Sequence, residues 1–426
     1  MHDGSVTPPT QHATRTAPAG LVALVVGLFF IWGGLTSLND VLVPKLKALF
    51  ELSYAEAMLT QFAFFTAYFV VSLPAGRVVA RVRYVQGMVF GLALMAGGCL
   101  LFVPASTAGV YAMFLLALFV LAAGITVLQV AANPLIAQLG AVATSHSRLT
   151  LAQAFNSLGT TVFPPLGAAL ILGSLASVDQ ATLDASALRA LHVEESAVIG
   201  HAYLAIAVVL LACAAVFAVL ARRLPRELAA ETNLRGSVAL LRQHPRLRGA
   251  VACIFIYVGA EVAIGSVLVS WLSSPDVMAV TAQVAGQLLA FYWGGAMLGR
   301  FAGAWMLRRF VPGSVLACFA LAAATLGAIA ALSSGPPAGW ALLAVGLANS
   351  IMFPTVFSLG VEGLDRDTPR GSGLLCMAIV GGALIPLLFG LVADATTLRF
   401  ALIVPVACYL GIAAFGWRAR QPWGPT

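Results

Sequence analysis

Apolar runs of about twenty residues recur along the chain, parted by short polar links, and none alternates with a period of two. A helix of that length crosses the hydrocarbon of a bilayer, whereas membrane strands are short and alternate. The pattern predicts twelve spans, near 21–44, 57–80, 84–103, 109–137, 148–173, 199–221, 249–272, 283–307, 313–333, 339–360, 371–393 and 399–417. The expected class is an all-α membrane protein, and an even number of spans puts both termini on one side.

Polar positions inside these runs are few, which makes them informative. The stretch TVLQVAANPLIAQLG and the following RLTLAQAFNSLG place Gln129, Asn133, Gln153 and Asn156 on an apolar background. Gln129 and Asn133 are four residues apart and Gln153 and Asn156 three apart, so each pair shares a helix face. Amides facing lipid are costly, so these faces should line a bundle interior or a wet cavity. Such amides suit a neutral polyhydroxylated ligand. Alternatively, they join helices by hydrogen bonds.

Composition removes the soluble classes. Of 426 residues, 61% are hydrophobic and 9% charged, against about 25% charged in a soluble domain. The net charge of +7 therefore reports membrane orientation, and no nucleic-acid partner is expected. With the termini in the cytoplasm, 19 of the 23 Lys and Arg residues lie inside, and only Lys45, Lys47, Arg189 and Arg399 lie outside. The longest basic polar stretch follows the sixth span. The expected organisation is a flexible cytoplasmic tail (1–20), a six-helix bundle (21–221), a cytoplasmic linker (222–248), a second six-helix bundle (249–418) and a short cytoplasmic tail (419–426).

A weak internal repeat supports this division. Pro134 and Gly140 match Pro354 and Gly360, Arg148 and Pro164 match Arg370 and Pro386, and Gly76-Arg77 matches Gly299-Arg300, all at offsets of 220–223 residues. Two halves of equal orientation imply bundles related by an axis along the membrane normal, with a ligand site between them. The same offset pairs Asp40 with Glu261 and Gln129 with Asn349.

Asp40 follows Asn39 in a run whose Gly33-Gly34 pair and Pro44 could loosen the helix. Glu261 sits near the middle of its span, one turn after Tyr257. No Lys or Arg lies deep in any span, so both carboxylates favour titration or binding of a cation over a static ion pair. The alternative for Asp40 is a solvated residue at the outer end of its helix. Span eight adds Gln287, which could reach a ligand, and Trp293, which offers an aromatic face to a sugar ring or simply packs. Arg300, Arg308 and Arg309 at its inner end match Arg77, Arg81 and Arg83, and could favour one arrangement of the bundles or serve only in orientation.

Enzyme chemistry finds no support. There is no Walker A sequence, no HExxH and no nucleophile–base pair in the spans. The six cysteines lie singly in apolar runs, without metal or disulfide spacing. No cofactor is expected beyond a coupling ion, H+ or Na+.

The segments SLNDVLVP, LQVAANPLI, LAQAFNSLG, YVGAEVAIGS, GRFAGAWMLRRF and FPTVFSLG resemble the fucose–galactose–glucose branch of the major facilitator superfamily, over about residues 21–420. The resemblance implies alternating access and cation-driven sugar uptake across a bacterial inner membrane. It assigns Asp40 to ion coupling and places Asn156 in the pocket. Where the fucose pattern has a second acid this chain has Gln129, which looks more like the glucose/galactose and amino-sugar members. The expected substrate is glucose or galactose, with N-acetylglucosamine or fucose as alternatives. Other classes are a facilitator or effluxer of drug-like compounds and a non-transporting sugar receptor. The expected binding set is Asn39, Gln129, Asn133, Gln153, Asn156, Tyr257, Glu261, Gln287, Trp293 and Asn349, with Asp40 and Glu261 coupling the cation. A monomer in lipid is expected.

Overall fold

The apolar runs fold as helices. The computed structural model describes residues 19–50, 54–167, 185–223 and 236–421, and every regular element among them is helical. Residues 1–18, 224–235 and 422–426, which include most of the expected tails and the middle of the expected linker, are outside the described residues.

The first half contains α1 (Ala19–Leu49), α2 (Tyr54–Val82), α3 (Tyr84–Ala108), α4 (Tyr111–Gln138), α5 (Ser145–Gly167) and α6 (Ala185–Arg223). A short α7 (Gly236–Gln243) leads into α8 (Pro245–Ser273), α9 (Ala282–Met306) and α10 (Pro312–Leu332). The remaining spans are broken. α11 (Pro336–Asn349) continues into α12 (Met352–Val361), α13 (Thr368–Met377) into α14 (Gly381–Ala395), and α15 (Leu398–Ala401) into α16 (Ile403–Arg418).

Ten stretches among the described residues are long and apolar enough to cross a membrane. The two other long helices, α5 and α9, are not among the ten. They are the helices that carry Gln153, Asn156, Gln287, Trp293 and Arg300. In α9 the polar Gln287 and Arg300 lower the apolarity, and α5 is described only as far as Gly167, short of the expected end of its span at 173. By contrast, α6 exposes Val208, Val209, Val216 and Val219, a face that suits lipid and not water.

Neighbouring helices pack within each half: α3 on α4 and α6, α1 on α5, and α2 on α4; then α10 on α11 and α16, α8 on α14 and α16, and α9 on α11. α1 runs unbroken through Gly33, Gly34 and Pro44, so the expected loosening is not seen in its backbone. The glycines allow close approach instead. A Cβ on Gly33 would strike the Asn156 carbonyl, and one on Gly159 would strike the Phe30 carbonyl. Glycine at both positions lets α5 lie directly on α1.

The α11–α12 break follows from Pro354. Proline has no N–H, so the Ser350 carbonyl four residues earlier loses its helical partner. Arg300 Nε on α9 donates to that carbonyl at 3.1 Å.

Helices of the two halves meet toward the end that carries Arg77, Arg81, Arg308 and Arg309. There α2 packs on α13, and α5 on α9 and α12. The Phe155 and Phe301 rings meet edge to face at 6.0 Å. Ser147 donates to the Ala304 carbonyl, and Arg308 Nε donates to Ser147 Oγ at 3.1 Å. His146 Nδ1 lies 2.6 Å from Ser358 Oγ. The Ser358 hydroxyl donates to the Pro354 carbonyl, so His146 is the donor to Ser358.

Candidate functional site

The second-half candidates assemble around Glu261. The Tyr257 hydroxyl, one turn earlier on α8, shares its proton between Glu261 Oε1 at 2.8 Å and the Asn349 carbonyl at 3.2 Å. Asn349 Nδ2 donates to the Tyr292 hydroxyl at 3.0 Å. That hydroxyl in turn donates to the Glu261 carbonyl at 3.4 Å. Three helices, α8, α9 and α11, thus close a ring of hydrogen bonds. The ring fixes one carboxylate oxygen and leaves Oε2 without a partner among the described residues. Asn349 Oδ1 is buried and also unpartnered. An acceptor held rigid beside a free acceptor suits a hydroxyl-bearing ligand or a cation.

This assembly needs α9 and α11 in close contact. A Cβ on Gly346 would strike the Tyr292 backbone, so glycine sets the approach that lets Asn349 reach Tyr292. Trp293 packs edge to face on Tyr292, with centroids 5.0 Å apart. Its ring lies beside Gly265, one turn beyond Glu261, and it is 44% exposed. Gln287 is exposed and has no partner among the described residues.

The first-half candidates separate into two kinds. Gln129 Nε2 donates to the Tyr68 hydroxyl at 2.7 Å, joining α4 to α2 and leaving its Oε1 free among the described residues. Gln153 Nε2 donates to Asn133 Oδ1 at 3.3 Å, and Asn156 Nδ2 donates to the Phe29 carbonyl at 3.0 Å. Those last three amides join α4, α5 and α1, as the helix-joining alternative expects. Asn133 still has a buried Nδ2 with no partner. Asn39 and Asp40 fall within α1, but their side chains lie outside the described residues.

Arg148 sets the register of these amides. It donates to the Ile136, Ala137 and Ala141 carbonyls and to Thr144 Oγ1, tying the start of α5 to the C-terminus of α4.

Arg300 joins the two sets. Beside its bond to Ser350, it donates to the Gln153 carbonyl at 3.5 Å and to Ser157 Oγ on α5. Its donors therefore bridge α5 of the first half and the α11–α12 break beside Asn349. Arg300→Ala is expected to loosen the closure of the halves at the basic end. Spin labels at the exposed positions 81 and 366 should show a broader, longer distance distribution in the variant. An unchanged distribution would contradict the bridging role.

Tyr68 was not among the expected residues, and Tyr292, a polar position of span eight, was outside the expected binding set. Tyr68 bonds to Gln129 in one half as Tyr292 bonds to Asn349 in the other. The two tyrosines are 224 residues apart, one step beyond the repeat offset, and the repeat was the available signal.

The profile of the Major Facilitator Superfamily matches residues 22–378. The chain is 47% identical over 389 residues to the glucose/galactose transporter of Brucella abortus biovar 1 (strain 9-941), covering 91% of each chain. It is 34% identical over 401 residues to the L-fucose-proton symporter of Escherichia coli (strain K12), covering 92% of this chain and 91% of that one. The solved structure of FucP in the outward conformation superposes with a TM-score of 0.84 at 32% identity, covering 94% of this chain and 99% of that one.

Proposed function

The chain belongs to the Major Facilitator Superfamily, and on that premise we propose that it imports a sugar, glucose or galactose first, by cation symport with alternating access. It is a transporter and not an enzyme. The observation that carries the reading is the Tyr257–Glu261–Asn349–Tyr292 ring, bridged through Arg300 to the amide-bearing α5. An immobilised carboxylate with a free oxygen, close to amides, matches the alternating donors and acceptors of a sugar. The relative named a glucose/galactose transporter supports that substrate, and the fucose-proton symporter supports a proton as the coupling ion, with sodium as the alternative. Fucose is the second sugar, favoured by that same relative.

The architecture that goes with this reading has twelve spans, counting α5 and α9 with the ten apolar ones. They form bundles at 21–221 and 249–418, joined by a linker at 222–248. Both termini and the basic end face the cytoplasm of a bacterial inner membrane, and one chain is the working unit. Contacts between the halves at the basic end support a state closed to the cytoplasm and open outward.

Within this reading Gln129 touches sugar, Asn156 offers it the amide oxygen left over from its bond to the Phe29 carbonyl, and Asn133 and Gln153 brace the helices behind them. Gln129→Ala should weaken sugar binding by about 1–3 kcal/mol, read by titration calorimetry on purified protein. Gln129→Glu should add a titration step to the pH profile of transport, because a titratable group enters a site that carries an amide. A Gln129→Ala variant with wild-type affinity, or a transporting Gln129→Glu variant with an unchanged pH profile, would remove Gln129 from the pocket.

A further inference from the structure

A groove of about 800 Å³ opens on the surface between α8 and α16, at the basic end. Its volume is in the range of small-molecule sites (about 300–1,000 Å³), yet it lies apart from the Glu261 ring. Three guanidinium groups, of Arg246, Arg248 and Arg418, line its mouth. Arg246 is tied to Glu362 Oε2 at 3.0 Å and to the Ala419 carbonyl at 3.1 Å. Arg248 and Arg418 are exposed, and among the described residues neither guanidinium has a hydrogen-bond or ion-pair partner.

Below the mouth the walls are apolar. Ala252 and Ile256 on α8 face Gly411 and Phe415 on α16. From Pro245 to Ile256 the groove follows α8 for about 16 Å, half the thickness of a bilayer core. Exposed Trp417, with the Arg420 guanidinium 3.8 Å from its ring centroid, marks the level of the membrane–water interface beside the mouth.

We propose that this groove is a binding site for an anionic glycerophospholipid, with its phosphate between Arg248 and Arg418 and one acyl chain along Ala252, Ile256 and Phe415. The charge pattern selects the headgroup. Two unpartnered guanidiniums at interface depth attract a phosphate that bears net negative charge. The apolar shaft selects a lipid over a free anion, because a phosphate ion leaves the groove walls uncovered. Small residues at 252 and 411 keep the shaft open: a Cβ on Gly411 would already sit 3.1 Å from Ile256. A lipid held there would clip α16 to α8, and so act on the helix that carries Glu261.

The test uses purified full-length protein, delipidated in detergent and titrated with dioleoylphosphatidylglycerol, with bound lipid counted by native mass spectrometry. Wild type should retain one tightly held copy. The double variant Arg248→Ala/Arg418→Ala should bind it about tenfold more weakly, and the Arg248→Lys/Arg418→Lys pair should recover most of the affinity. Ala252→Trp fills the shaft, leaves both guanidiniums in place, and should also displace the lipid. If the alanine pair does not fold, Ala252→Trp and the lipid comparison in wild type still decide the matter. Equal binding of dioleoylphosphatidylcholine would overturn the proposal, since charge would not be read. Displacement of the lipid by millimolar inorganic phosphate alone would overturn it too, since the site would then be an anion site. So would wild-type affinity in the alanine pair or in Ala252→Trp.

Discussion

Glu261→Gln is expected to raise the Kd for glucose or galactose by about ten- to a hundredfold, the loss of one hydrogen bond to a charged acceptor. The substitution keeps the shape of the side chain and its contact with Tyr257, which donates to Oε1 at 2.8 Å. What changes is the second oxygen, free among the described residues, which becomes an amide nitrogen that donates instead of accepting. A sugar hydroxyl that donated to Oε2 then meets another donor. Residual transport should still follow the imposed ion gradient, because the coupling role is assigned to Asp40. Equilibrium sugar binding and gradient-driven uptake, measured on the same preparation, separate the two effects. Unchanged binding with uncoupled transport would reverse the assignment.

Asp40→Asn is expected to abolish uphill accumulation while leaving sugar–sugar exchange measurable. Asparagine matches aspartate in shape but cannot release a proton or neutralise sodium. The repeat pairs Asp40 with Glu261 along the chain, and on the proposed reading Asp40 carries the ion while Glu261 binds sugar. Counterflow driven by sugar preloaded into the vesicles needs no net ion movement, so it should survive. Accumulation against a gradient, by contrast, should fall to the equilibrium level. Uphill accumulation by Asp40→Asn would sink this division.

The spans and the amides were legible for one physical reason: in lipid, every polar residue on an apolar background needs a local explanation. Gln129, Asn349 and Glu261 stand out on that ground, and the structure places each in a hydrogen bond between helices or along one. Of the two readings of the amides, Gln153 with Asn133 took the bracing one, as did Asn156 through its Nδ2. Less legible was which partners those groups choose. A tyrosine in a membrane helix packs as readily as it bonds, so Tyr68 was invisible until Gln129 was seen to reach it. The role of Arg300 depended on Pro354, fifty-odd residues away, through the carbonyl that proline frees (about one helical turn back, at Ser350). Spacing along the chain cannot show that meeting, because it depends on how α9 lies against α11 and α5.

Gradient-driven sugar uptake by the wild-type protein in proteoliposomes tests the central claim most directly. An imposed inward proton or sodium gradient should drive labelled glucose or galactose above the external concentration, and a matching ionophore should collapse that accumulation. Uptake that merely equilibrates, indifferent to both gradients, or an absence of sugar movement alongside export of drug-like compounds, would contradict cation-coupled sugar symport.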